Sequence, residues 1–131
     1  MSVNSKQKGS RIERQACKLL KGFDGRIEAR RSQQFSGVRT DDTSADILTN
    51  IECIRFEIKG GYNDVSIYNS VCKEWIETAR KETPAGKHWC ILRKKDYQKW
   101  TIITELEGMV VETDEVKAMI EHIMTMYNFT L

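Results

Sequence analysis

The sequence predicts one mixed α/β (α+β) domain, a central sheet flanked by helices, and three observations carry that prediction. The chain has 131 residues, which is room for one hydrophobic core and no second lobe. Segments of helical and of strand periodicity alternate along it in the order α-β-β-β-α-β-β-α, as expected for helices packed on a mixed sheet. Apolar residues make up 40% and charged residues 31% of the chain, with one proline, which excludes collagen-like and proline-rich disordered classes.

The first helix is expected to start at Ser10, because Ser10, Arg11, Ile12 and Glu13 spell a Ser-x-x-Glu capping box. Residues 1–9 are polar and read as a flexible tail. Ile12, Ala16, Leu19, Leu20 and Phe23 then form a helical stripe, with Gly22 and Gly25 available to end it. Residues 26–31 read as a strand. Residues 32–44 are polar, glycine-containing and aperiodic, so a long mobile loop is expected there. Residues 45–49 and 54–59 follow as strands. In the second of these, Ile54, Phe56 and Ile58 alternate with Arg55, Glu57 and Lys59, the pattern of a strand with one buried face.

Gly60 and Gly61 break that strand. A second helix is expected over residues 69–82, with Val71, Cys72, Trp75, Ile76 and Ala79 on its apolar side and Pro84 and Gly86 beyond its end. Strands are predicted at 88–93 and 100–105, joined by a polar turn. Residues 106–131 form a C-terminal extension whose helix is expected to be capped by Thr113, with the stripe Val116, Met119, Ile120, Ile123 and Tyr127. That stripe reads as core or dimer contact more readily than as a protein-interaction surface.

Composition also bounds function. Residues 1–40 hold ten Lys or Arg against three acids, whereas the remainder holds eleven against sixteen. So polarised a chain presents a basic surface suited to a polyanion such as nucleic acid; a solvated basic helix is the competing reading. No apolar run approaches the roughly 18 residues of a membrane span, and residues 1–11 lack a signal peptide's apolar core. The expected setting is the cytoplasm. Cys17, Cys53, Cys72 and Cys90 include no C-x-x-C pair and read as buried apolar groups in a reducing compartment. A zinc site combining them with His88 or His122 is the alternative.

The chemistry concentrates in three acids and a lysine. A symmetric hairpin turning between Ile51 and Glu52 would set Asp46 opposite Glu57 and Ile47 opposite Phe56, with Lys59 on the carboxylate face. Opposed carboxylates repel, so the pattern calls for a cation between them. Hard oxygen donors suit Mg²⁺. Glu13 lies about 100° round the helix from Ile12, at the edge of the buried stripe, where it either leans toward the sheet or serves only the capping box.

With these residues in view, Lys8, Gly9, Ser10, Arg11, Ile12, Glu13 and Arg14, then Ala45, Asp46 and Ile47, then Phe56, Glu57, Ile58, Lys59 and Gly60 resemble the archaeal-type Holliday junction resolvases. These are homodimers of the PD-(D/E)xK nuclease superfamily, with viral members. The resemblance implies a restriction-endonuclease-like fold and catalytic residues Glu13, Asp46, Glu57 and Lys59. It also implies a Mg²⁺ ion (Mn²⁺ substituting) held by Asp46, Glu57 and the Ile58 backbone carbonyl, with Glu13 as a further donor. Arg11, Arg14, Lys18, Arg30, Arg31 and Arg39 become candidates for DNA phosphate contacts. Ala45 stands where the superfamily has proline, and the segment after Gly108 has no counterpart. The function implied is metal-dependent hydrolysis of phosphodiesters in branched DNA by symmetric nicking, in recombination and repair, within the host cytoplasm if the chain is viral. The alternatives are a restriction- or repair-type endonuclease on the same scaffold and a non-catalytic nucleic-acid-binding module.

Overall fold

The computed structural model describes residues 2–32, 34, 35, 38, 39 and 45–131, with side chains for residues 9–32 and 45–131. The elements run α1 (Ser2–Phe23), β1 (Ala29–Arg31), β2 (Gln34–Phe35), β3 (Val38–Arg39), β4 (Ile47–Thr49), β5 (Ile54–Gly60), α2 (Ser70–Glu82), β6 (His88–Lys94), β7 (Trp100–Leu106), β8 (Met109–Thr113) and α3 (Val116–Met126). The main sheet has the order β5-β6-β7-β8, parallel between β5 and β6 and antiparallel thereafter. β1 and β4 form a separate antiparallel ribbon, with Arg31 opposite Ile47. The mixed sheet flanked by helices is the architecture expected.

Alternation along β5 divides the core in two. Ile54, Phe56 and Ile58 join Ile12, Ala16 and Leu20 of α1 and Ile120 and Ile123 of α3 on one side of the sheet. On the other, Cys72, Ile76 and Ala79 of α2 cover Trp89, Ile91 and Ile103. Parallel pairing of β5 with β6 requires a crossover, and α2 supplies it. Asn69 starts that helix, its Oδ1 accepting the Val71 N–H at 2.9 Å.

The first helix departs from expectation. It begins at Ser2, inside the segment read as a tail, so Ser10 is no N-cap and the capping box is not formed. The predicted strand at 26–31 shrinks to Ala29–Arg31 because Arg26 is drawn into a local pairing with Asp24, Nη2 to Oδ2 at 2.8 Å. The loop expected over 32–44 falls partly outside the described residues; within it β2 and β3 pair antiparallel. A strand was also missed. β8 pairs with β7, and Thr113 ends that strand instead of capping α3, its Oγ1 accepting the Glu115 N–H at 3.1 Å.

α1 crosses close over the end of β5. A Cβ at Gly60 would lie 2.8 Å from Ile12 Cγ1, so only glycine allows the helix this near. That approach brings Glu13, next to Ile12, over the C-terminal end of β5.

Candidate active site

Hydrogen bonding fixes which edge of β5 is open. The Cys53 carbonyl and the Gly61 N–H bond to His88 and Lys94 of the β6 segment, so odd-numbered backbone groups face β6 and even-numbered ones face away. Ile58 is even. Its N–H is taken by Asp46 Oδ2 at 2.8 Å, and its carbonyl, on the same side of an extended strand, faces that edge too. The expected β4–β5 hairpin, with Asp46 opposite Glu57, is not formed among the described residues, since β4 pairs with β1 instead. A carboxylate side chain stands where the hairpin ladder would have run.

The two carboxyls meet all the same. Burial and the hydrogen-bonded, negatively charged Asp46 push Glu57 up to about 8, against the opposing pull of Arg55. Arg55, 4% exposed, places Nη1 2.7 Å from Glu57 Oε1 and Nη2 3.0 Å from Glu82 Oε2. The two carboxyls, beside an outward backbone carbonyl, are hard oxygen donors of the kind that could hold a divalent cation: Asp46, Glu57 and the Ile58 carbonyl.

Glu13 is placed differently. Its Oε1 accepts from Arg31 Nε at 2.9 Å, while Arg31 Nη2 donates to Ser10 Oγ at 3.0 Å. Ser10 and Glu13, the supposed capping pair, are thus two partners of one guanidinium. Among the described residues, no three His, Cys, Asp or Glu side chains lie close enough together to hold an ion. The structure therefore brings Asp46 and Glu57 together and leaves Glu13 with Arg31. Glu13 does line a cleft of about 420 Å³ with Ile58, Lys59, Gly61 and Tyr62. Lys59 Nζ sits 5.3 Å above the Trp75 ring centroid, a cation–π contact that holds the amine without neutralising it.

Arg11, Arg14 and Lys18 are exposed on α1 and Arg30 on β1. Spacings of three and four residues align the first three on one helix face. Arg31 is paired with Glu13 and Ser10; the Arg39 side chain lies outside the described residues. The cysteines are buried and free, and burial pushes the Cys90 thiol up to about 12. No helix among the described residues is long and apolar enough to cross a membrane.

Sequence reading passed over Arg55, Trp75 and Tyr62 as parts of this site. Arg55 had a signal, sharing the strand face of Glu57 and Lys59. For Trp75 and Tyr62 the signal is tertiary.

The chain is similar to known nucleases. A family model described as phage putative PDDEXK endonuclease matches residues 4–130. Among solved structures, the chain is similar to Hjc of Archaeoglobus fulgidus, a Holliday junction resolvase from an archaeal hyperthermophile. The identity is 19% and the TM-score 0.46, over 82% of this chain and 88% of that one. No curated protein sequence matches.

Proposed function

The chain belongs to the phage PDDEXK endonuclease family, and from that premise we propose that it is a Mg²⁺-dependent endonuclease acting on branched DNA, most specifically a homodimeric Holliday junction resolvase. What carries the reading is the Asp46–Glu57 carboxyl pair at the open edge of β5, with Ile58 between its binding groups and Lys59 two residues beyond. The order of Glu13, Asp46 and the Glu57-x-Lys59 pair, shared with the archaeal-type resolvases, supports the choice of substrate.

Asp46 and Glu57, with the Ile58 carbonyl, would hold the ion, Mn²⁺ being able to replace Mg²⁺. When bound, it supplies Lewis acidity toward a phosphate oxygen and lowers the pKa of a water ligand. The residues supply the rest. Asp46 is fixed by the Ile58 N–H before any substrate arrives, so its second oxygen needs little reorganisation. Lys59, held on Trp75, orients the attacking water and offsets negative charge developing on the phosphate. Glu13, oriented by Arg31, borders the cleft where water would stand. Arg11, Arg14 and Lys18 contact phosphates without reading bases, which suits recognition of a shape. A two-fold junction needing two symmetric cuts suits a C₂ dimer.

The test is a labelled synthetic four-way junction incubated with and without Mg²⁺. Paired symmetric nicks that require the ion and spare linear duplex are expected. Equal cutting of linear duplex would overturn the resolvase reading, and salt-sensitive binding without any nicking would overturn the enzyme. Sedimentation of the free protein should give a dimer mass.

A further inference from the structure

Tyr62 lines the same cleft as Glu13 and Lys59 and keeps 51% of its surface exposed. Its φ of +52° follows Gly61 at +83°, a left-handed conformation that few non-glycine residues adopt. The turn is tied down around it. Fully buried Arg93 donates through Nη2 to the carbonyls of Tyr62, at 2.9 Å, and of Val65. Gly61 N–H reaches the Lys94 carbonyl at 3.0 Å. Asn63 and Asp96 exchange two hydrogen bonds, at 3.1 and 2.9 Å.

The ring is braced as well. Tyr62 meets Trp75 edge-on, with centroids 4.9 Å apart and planes at 73°, and the same Trp75 carries Lys59 and Arg93. Tyr68 and Tyr97 are more exposed, at 81% and 102%, and neither has a ring contact of this kind among the described residues. Left-handed backbone and exposed apolar surface persist where the surroundings over-determine them, and they cluster at functional sites.

We propose that Tyr62 is a stacking platform for a nucleobase left with one face unstacked next to the phosphate to be cut. The proposal deepens the nuclease reading and rests on it. A base inside continuous duplex has both faces covered by neighbours and offers nothing to a tyrosine ring. At a branch point or frayed step one face is free, and aromatic stacking then contributes without regard to sequence. Tyr62 would thereby discriminate branched from linear DNA, while Lys59, beside it on Trp75, handles the phosphate.

The experiment uses the whole protein in Mg²⁺-free buffer with EDTA, bound to a four-way junction carrying 2-aminopurine at the branch. Tyr62→Ala should weaken junction binding roughly tenfold and raise the bound probe's emission, as stacking on the ring is lost. Tyr62→Phe should stay within about twofold of the wild type, which separates stacking from misfolding, and Tyr97→Ala should change neither readout. Equal junction affinity and equal emission for Tyr62→Ala and the wild type would overturn the proposal; so would an equal loss on linear duplex. Failure of the nuclease reading looks different: the wild type would then cut no DNA when Mg²⁺ is restored.

Discussion

The two faces of β5 obey one alternation and meet opposite problems. Toward α1 and α3, Ile54, Phe56 and Ile58 are at most 8% exposed, and burial there is favourable of itself, about 25 cal/mol per Å². Toward α2, Arg55 is only 4% exposed and Glu57 and Lys59 are half-buried. Charge taken out of water is costly unless partners replace the solvent. Each found one: Arg55 lies between Glu57 and Glu82, Glu57 shares contact with Asp46, and Lys59 rests on Trp75. The lesson is that the apolar face positions the strand, while the charged face stores unresolved repulsion that a cation could relieve.

Several substitutions would break or sharpen that contrast. The largest effect is expected at the carboxyl pair. Asp46→Asn or Glu57→Gln should lower Mg²⁺-dependent cutting at least about a thousandfold while junction binding persists, measured by gel assays of cleavage and binding; EDTA should do the same to the wild type. Arg55→Met comes next. Above about pH 8, where Glu57 carries its charge, leaving it without its buried guanidinium should cost about 3–5 kcal/mol in urea unfolding, whereas Glu82→Gln, at the more exposed end, should cost under about 1 kcal/mol.

Gly60→Ala should cost about 1–3 kcal/mol, since Ile12 is stiff at χ1 and cannot yield freely. The smallest change on the apolar face, Ile58→Val, should cost about 0.5–1.5 kcal/mol with cutting preserved.

A pH series gives the sharpest comparison between faces. Glu57 is raised to about 8 from 4.5, so between those values the folded state holds a proton the unfolded chain has released. Stability without metal should therefore fall as pH climbs from about 5 to about 8, and level off above. Urea midpoints at several pH values in EDTA would show it. Glu57→Gln should flatten the slope, and Mg²⁺ at pH 8.5 should restore midpoints in the wild type only.

Much of this was legible in the chain itself. The period-2 run at Ile54–Gly60 and the apolar stripe at Ser70–Glu82 became β5 and α2 nearly as read, because each buries a face whose period is set by local geometry. The Glu57-x-Lys59 spacing placed both on one face for the same reason. The pairing of β4 was not legible. Any symmetric turn satisfies the pattern around residue 51, and only tertiary packing decides that β4 joins β1 and sends a side chain, not a ladder, to β5. The Ser10–Glu13 box misled because a capping pattern inside a longer helix has no free N–H groups to satisfy, and Arg31, distant in sequence, claimed both side chains. β8 was missed because Val110 and Val111 are its only β-branched apolar pair, too short a signal to stand out.

The bond from Asp46 to the Ile58 amide makes this aspartate a tether as well as a ligand candidate, because it clasps the small β1–β4 ribbon onto the larger sheet. Asparagine keeps an oxygen for that amide; alanine keeps none and leaves a buried donor orphaned, at about 1–3 kcal/mol. An alanine scan at this position would thus confound a loosened ribbon with lost chemistry, and the isosteric swap is the one that isolates the reaction.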